Sequence, residues 1–280
     1  PAGNYTLTPE RAGADITPTS RNFNLTTSQV IDFDGSIKAT AVSAASYNGQ
    51  RIAQGSIVAL FGFEMTSQTQ VANRQPLPTS LGGVTVVFKN TDSAREYNAS
   101  LFFVSPNQIN LLVPLSLSDG EATFRIFAPG SSIEPTTIGS VMVEQVAPGL
   151  FSADASGQGL AAAVALRVKA DGSQVYEPVV QFDSSQNKFI AIPIDVGNPA
   201  EQVFLLAFGT GISGRLALSN FQARIDGETA EITFVGAQND FAGLDQVNLR
   251  LPLTLTGRGN VDIVLTVDGK AANVVQVNIK

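Results

Sequence analysis

A seven-residue phrase occurs twice in this 280-residue chain, and it constrains the fold more than any other feature. "QINLLVP" at residues 108–114 returns as "QVNLRLP" at residues 246–252. Upstream, "GSIVALFGFEM" resembles "EQVFLLAFGTGI", and each of these segments precedes one copy of the phrase. Solenoid repeats are about 20–50 residues long, so the wider spacing here predicts a whole domain that has been duplicated.

Each predicted unit consists of short strands. Runs rich in Val, Ile, Thr and Phe alternate with turn signals such as "LSDG", "IDGE" and "VDGK", and helical periodicity is weak. This pattern predicts an all-β fold of two antiparallel β-sandwiches at residues 38–146 and 147–280, after an extended N-terminal arm at residues 1–37. In the repeated phrase, alternation places Ile109, Leu111 and Val113 on the core face, matched by Val247, Leu249 and Leu251.

Charge and missing residue types restrict the function. The net charge of −7 repels phosphate backbones, and no Lys/Arg cluster alternates with aromatic residues, so we predict no nucleic-acid partner. His and Cys are absent, which removes the commonest general base, the commonest metal ligand and every disulfide. We therefore predict a non-enzymatic chain without cofactor or metal. No apolar run approaches the roughly 20 residues that span a bilayer, and no signal-peptide pattern opens the chain.

Three groups of residues match patterns of functional sites, but their sequence context favours a structural role. "GTGISG" at residues 209–214 fits a dinucleotide pattern, but strand-like alternation follows it, so we interpret it as a glycine-rich loop. "DFDG" at residues 32–35, with Asp154 or Asp171, offers oxygen ligands for calcium without EF-hand spacing, and solvated turn carboxylates are the preferred reading. Four carboxylates are candidates for glycoside chemistry, with surface charge as the default: Glu64, Glu96, Glu121 and Glu144.

Five segments carry a family resemblance. "AVSAASYNGQRIAQGSIVALFGFEM", "PLPTSLGGVTVVF", "FFVSPNQINLLVP", "VAPGLFSADASGQGLAAA" and "DQVNLRLPL" together resemble the uncharacterised extracellular C-terminal domain family of Solibacter and related acidobacteria. The resemblance covers about residues 41–280. It implies two tandem immunoglobulin-like sandwiches of a secreted or cell-surface protein, here a mature form after signal-peptide removal, with no assigned activity. A long partner domain usually precedes the module, whereas only a short arm does so here.

The arm has two open interpretations. Pro9 and Pro18 exclude one continuous strand, and the arm holds three apolar pairs in extended spacing. Its strands either complete the first sandwich of their own chain or cross to another subunit as donor strands. The repeated phrase adds Leu112, which faces outward where the second copy has Arg250, so the arm or a neighbouring subunit is expected to cover it. The predicted assembly interface is Tyr5, Leu7, Phe23, Leu25, Ile31, Phe33 and Leu112.

From these features we predict a structural subunit of a cell-surface filament or adhesive assembly, held to copies of itself by strand pairing. The alternative is a surface module that binds polysaccharide or another surface protein. Sugar-binding sandwiches commonly use exposed aromatic side chains, and Trp is absent, so Tyr97 and Tyr176 are the candidate contacts. Core packing is the preferred role for most of the 17 Phe residues.

Overall fold

The computed structural model describes residues 2–11, 13–49, 51–131, 135–215 and 217–280. The chain is all-β, and its only helical elements in these ranges are two single 3-10 turns, Leu218–Asn220 and Leu253–Leu255. Buried apolar side chains form two clusters, one between Ala39 and Val143 and the other between Val146 and Ile279. Two sheets contribute to each cluster, which gives β-sandwich architecture around each core.

The first core lies between two sheets. One has the order β10-β9-β13-β14-β4-β2, with β6 also on β14, and the other has the order β5-β7-β12-β11-β8. The arm contributes β1 (Gly3–Leu7), β2 (Ala14–Thr17), β3 (Arg21–Leu25) and β4 (Asp34–Lys38). The remaining strands are β5 (Thr40–Ser43), β6 (Arg51–Ala53), β7 (Ile57–Phe61), β8 (Gln70–Val71), β9 (Thr85–Asn90), β10 (Tyr97–Asn98), β11 (Ser100–Val104), β12 (Gln108–Leu112), β13 (Gly120–Phe127) and β14 (Thr137–Glu144).

The second core has the same plan. One sheet has the order β17-β16-β20-β24-β23 with β15 on β20, the other has β22-β21-β25 with β26 and β27 on β25, and β18 pairs with β19 separately. The strands are β15 (Gly149–Leu150), β16 (Ala163–Val168), β17 (Gln174–Pro178), β18 (Val180–Asp183), β19 (Lys188–Ala191), β20 (Gln202–Thr210), β21 (Phe221–Ile225), β22 (Glu228–Thr229), β23 (Glu231–Ala237), β24 (Asp245–Leu251), β25 (Gly259–Val267), β26 (Lys270–Ala271) and β27 (Val275–Ile279).

Strand order repeats between the two cores. The order β5-β7-β12-β11 corresponds to β16-β20-β24-β23, and β10-β9-β13-β14 corresponds to β22-β21-β25-β27. The repeated phrase forms β12 and β24, and each is an interior strand with a hydrogen-bonded neighbour on both sides. The predicted core face of this strand is confirmed, since Ile109, Leu111 and Val113 are fully buried and their three counterparts are buried as well. Alternation alone was sufficient for this assignment because one face of each strand meets a core.

The arm forms four strands, and these strands pair within the chain. Strands β1 and β3 pair with each other as a two-stranded ribbon, and β2 pairs with β4. Strand β4 joins the first sandwich through parallel pairing of Ile37 and Lys38 with β14. The predicted boundary at residues 37/38 therefore lies inside β4. Pro9 and Pro18 fall between strands, where no ladder hydrogen bond is lost.

The "GTGISG" segment packs against the chain that connects the two cores. A Cβ atom on Gly209, Gly211 or Gly214 would lie within 2.4 Å of the carbonyl oxygens of Gly149, Ala147 and Gln145, respectively. Only glycine permits so close an approach of two backbones. The same loop is held from the other side by Asp245, whose carboxylate accepts hydrogen bonds from the N–H groups of Ile212 and Ser213 at 2.7 and 3.2 Å. The motif is thus a packing element of the junction.

Candidate functional site

The outward face of β12 carries two amide side chains. Gln108 and Asn110 alternate with the buried residues of the strand and are half-buried themselves. The Nε2 group of Gln108 donates a hydrogen bond to Oδ1 of Asn110 at 2.8 Å. This bond fixes the orientation of both amides and leaves the Asn110 amino group and the Gln108 carbonyl oxygen for further partners.

Phenylalanine residues stand on both sides of this amide pair. Phe61 on β7 lies opposite Gln108, and Phe103 on β11 lies opposite Asn110. A register shift after Leu101 turns Phe103 to the outer face, while Val104 beside it faces the core. Neighbouring strands are about 4.8 Å apart, so the two rings flank the amides across roughly 10 Å. We call Phe61, Phe103, Gln108 and Asn110 the first platform.

Further aromatic side chains extend the first platform at its β7 end. The Tyr47 and Phe61 rings have centroids 6.3 Å apart and planes inclined by 32°, and both side chains are 37% exposed. Phe63, two residues beyond Phe61, is 49% exposed. Three partly exposed aromatic rings thus follow one another at the edge of an open sheet face. We therefore take this cluster of exposed aromatic side chains as a candidate interaction surface.

The arm forms a wall beside these rings. A cleft of about 610 Å³ lies between the arm and β7, and its polar lining includes Asp15 and Lys38, which form an ion pair of 2.5 Å. A Cβ atom on Gly13 would lie 2.3 Å from the Phe63 ring, so the arm backbone packs directly on it. The cleft is lined by Gly13, Ala14, Asp15, Lys38, Thr40, Phe61, Gly62, Phe63 and Asn107.

The chemistry of the first platform is that of a neutral, mixed surface. Its four side chains carry no charge, two are aromatic, and two are amides that both donate and accept. Such a surface is chemically complementary to a ligand that has apolar faces and a rim of hydroxyl groups.

Three of the four carboxylates proposed for hydrolysis are paired with cations. Glu64 pairs with Arg11, and Glu96 pairs with Arg125 at 2.6 Å. Glu144 contacts Arg51 of the first sandwich and Lys270 of the second, the latter at 2.7 Å. Glu121 is exposed on β13.

The cation pairs determine the protonation of Glu144. Burial raises the pKa of Glu144, but hydrogen bonds and charge from Lys270 and Arg51 more than offset it and hold the pKa below its usual range. The side chain is therefore ionised at neutral pH.

The carboxylates considered for calcium have turn roles. Asp154 accepts hydrogen bonds from Ser152 and Ser156, of which the Ser156 hydroxyl lowers the Asp154 pKa most, and Asp171 accepts from Ser173 in the same way. In "DFDG", Asp32 is exposed, while the side chain of Asp34 lies outside the described residues. Over the described part of the chain, no three metal-ligating side chains cluster, and no helix is long and apolar enough to cross a membrane.

Six of the seven predicted interface residues lie in the arm. Tyr5 lies opposite Phe23 in the β1–β3 ribbon with ring centroids 5.9 Å apart, and Leu7 and Leu25 are on the same ribbon face. Phe33 lies under the guanidinium of Arg21, 5.9 Å from it, and Ile31 is half-buried just before it. Some of the arm's apolar side chains therefore pack against other residues of the arm.

Leu112 is covered by the second sandwich of its own chain. A Cβ atom on Gly243, in the loop between β23 and β24, would lie 2.4 Å from Cδ1 of Leu112. The cover predicted for Leu112 was the arm or a neighbouring subunit. The exchange of Leu112 for Arg250 between the copies instead reflects this junction contact.

The sequence pattern predicts the two amides of the candidate site but not its two aromatic rings. Alternation places Gln108 and Asn110 outward, whereas no sequence signal separates Phe61 and Phe103 from the Phe residues that are predicted to pack in the cores. Their exposure depends on strand register and on the shift after Leu101, neither of which is visible in one strand's pattern. Of the two Tyr residues proposed for sugar contact, Tyr97 packs against the first core and Tyr176 is exposed on β17.

Comparison with known proteins assigns no family to the chain. No protein-family model matches it, and no curated protein matches it. Among solved structures, one similar chain is the Bacteroides ovatus mixed-linkage glucan utilization locus protein SGBP-B in complex with a mixed-linkage heptasaccharide. The identity is 9% and the TM-score 0.35, with 99% of this chain covered. This chain spans 64% of the length of that structure.

Proposed function

We propose that this chain is a non-catalytic cell-surface module that binds neutral polysaccharide through the first platform. The observation that carries the proposal is the amide pair of Gln108 and Asn110 between Phe61 and Phe103 on a partly exposed sheet face. Sugar rings offer apolar C–H faces that stack on aromatic rings and hydroxyl groups that pair with amides. The first platform provides both kinds of partner side by side.

The shape and charge of the site narrow the ligand class. The first platform is part of an open sheet surface about two strand spacings across, roughly 10 Å, which accommodates an internal stretch of a linear chain. No charged side chain belongs to it, and the net charge of −7 disfavours acidic polysaccharides. A neutral, linear polysaccharide therefore fits better than a charged one.

The proposal includes an immunoglobulin-like fold for each of the two units and a location outside the cell. The duplicated strand order supports the interpretation of each unit as immunoglobulin-like, as the resemblance to the Solibacter extracellular C-terminal domain family implies. A polysaccharide ligand would be met outside the cell, which agrees with the localisation implied by that resemblance.

A binding panel with matched variants tests the function. The probes are cellohexaose, laminarihexaose, mannohexaose and xylohexaose in calorimetry, and the corresponding polymers in affinity electrophoresis. We expect the wild type to bind at least one of them and Phe61→Ala to raise Kd about tenfold, because an aromatic contact of about 1.4 kcal/mol corresponds to that factor. Phe103→Ala should act in the same direction.

Phe182→Ala is the matched control, since Phe182 is an exposed ring on the separate β18–β19 hairpin. Its affinity should equal that of the wild type. Binding that Phe61→Ala and Phe103→Ala leave intact would refute the site, and no binding across the panel would refute the function.

The β1–β3 ribbon supports a second candidate function, which is strand-paired assembly of copies of the chain. This ribbon forms a two-stranded sheet of its own among the described residues, and Tyr5 and Leu7 on it are 37% and 44% exposed. Two-stranded ribbons are marginal alone and gain stability by adding strands. Leu25→Asp should abolish oligomers in sedimentation velocity if the ribbon mediates assembly. A wild type that is monomeric at all concentrations would exclude this function.

A further inference from the structure

The second sandwich repeats the first platform residue by residue. Gln246 donates from Nε2 to Oδ1 of Asn248 at 2.8 Å, the same bond that joins the two amides of β12. Phe208 lies opposite Gln246, and Phe234 lies opposite Asn248. We call Phe208, Phe234, Gln246 and Asn248 the second platform.

The repetition includes the irregularity that turns the second ring outward. A register shift after Ile232 in the β23–β24 pair brings Phe234 to the outer face, as the shift after Leu101 does for Phe103. A bulge is a specific feature that redirects a side chain. Its presence at the same position in both copies, which differ at many other positions, indicates that the orientation of this ring is used in both.

The surroundings of the second platform are accessible. Phe234 is 43% exposed, and the same sheet face continues through Phe204 and Leu166 to Tyr176, which is 64% exposed. At the position of Leu112 the second copy has Arg250, which pairs with Glu231 at 3.1 Å and is exposed. The loop between β23 and β24 covers the first sheet at Leu112, whereas the second sheet is exposed to solvent at the equivalent Arg250.

We infer that the second platform is a second site for the same neutral polysaccharide, so that one chain holds two segments of ligand. The inference rests on the proposed function of the first platform. The ligand class follows from the same uncharged pair of amides between two aromatic rings. Because both platforms belong to one chain, a polymer that reaches both binds the second site at high effective concentration.

Stoichiometry tests the inference with two matched variants, Asn110→Ala and Asn248→Ala. Calorimetry with the hexasaccharide that binds best should give two ligands per wild-type chain and one per chain for either variant. Affinity electrophoresis in the corresponding polymer should show a loss of roughly 100-fold for each variant, because two linked sites exceed a single site by that order. Tyr176→Ala, at the exposed edge, should weaken the second site without a change in thermal unfolding.

The outcomes separate the inference from the function. One ligand per wild-type chain, lost in Asn110→Ala and kept in Asn248→Ala, would overturn the second site and leave the proposed function intact. No binding of any hexasaccharide or polymer by the wild type would overturn both.

Discussion

Ile57 of the first sandwich donates its backbone N–H to the side-chain hydroxyl of Thr210 in the second, at 2.9 Å. The same hydroxyl donates to the carbonyl oxygen of Gly243 at 2.7 Å, and Thr210 is fully buried. The Thr210 side chain thus links the end of β20, the loop between β23 and β24, and the start of β7. Replacing it removes this partner from two partly buried backbone groups, the N–H of Ile57 and the carbonyl of Gly243.

Thr210→Val keeps the shape and removes both hydrogen bonds. We expect the free energy of unfolding to fall by about 2 kcal/mol, measured by urea denaturation. Thr229→Val, at an exposed position on β22, is the control and should change it by less than about 0.5 kcal/mol. Equal effects of the two variants would contradict a structural role for the Thr210 hydroxyl.

Gly243→Ala should destabilise the junction, because a Cβ atom there would crowd Leu112 most closely and also Ile57 and Gly55. Gly243 has a φ of +74°, and its new methyl group would collide with Leu112. We expect a loss of about 2 kcal/mol. Leu112→Ala in the same chain should recover part of this loss, because it removes the collision but not the backbone strain. Strictly additive losses in the double-mutant cycle would show that the two residues do not interact.

Protonation of the Asp245 carboxylate should stabilise the folded protein as the pH falls. Burial raises the pKa of Asp245, and the N–H groups of Ile212 and Ser213 offset this only in part. The folded state therefore binds a proton more tightly than the unfolded chain, so the stabilising effect of protonation grows as the pH falls from 7 towards the ordinary Asp value near 3.9. Relative to Asp245→Asn, the wild type should gain unfolding free energy over this interval. A constant or shrinking difference would contradict the assignment.

Glu144 should behave in the opposite sense. Its pKa is lowered in the fold, so its contact with Lys270 and Arg51 stabilises the protein above the ordinary Glu value near 4.3 and is lost as the pH falls through the lower folded value. At pH 7 we expect Glu144→Gln to cost about 1 kcal/mol. Below that folded value the difference should vanish, which denaturation at several pH values will show.

The sequence was most informative where one strand was sufficient for the argument. The duplicated β12 and β24, their buried faces and the outward Gln and Asn follow from alternation. Alternation within one strand does not predict how distant segments pair. The contact of Tyr5 with Phe23, the cover of Leu112 by Gly243 and the outward orientation of Phe103 all depend on strand register and on the path of the chain. The β-propensities of the residues do not determine toward which face of a strand a bulge turns a side chain.

The three glycines of "GTGISG" admit the connecting backbone so closely that residues 145–149 are shared by both halves of the molecule. The link between the duplicated units is therefore a seam and not a hinge. Replacing either half with another sandwich would therefore require a connecting segment whose backbone packs as closely against these glycines. Each half of the molecule is constrained by the backbone for which the other leaves room.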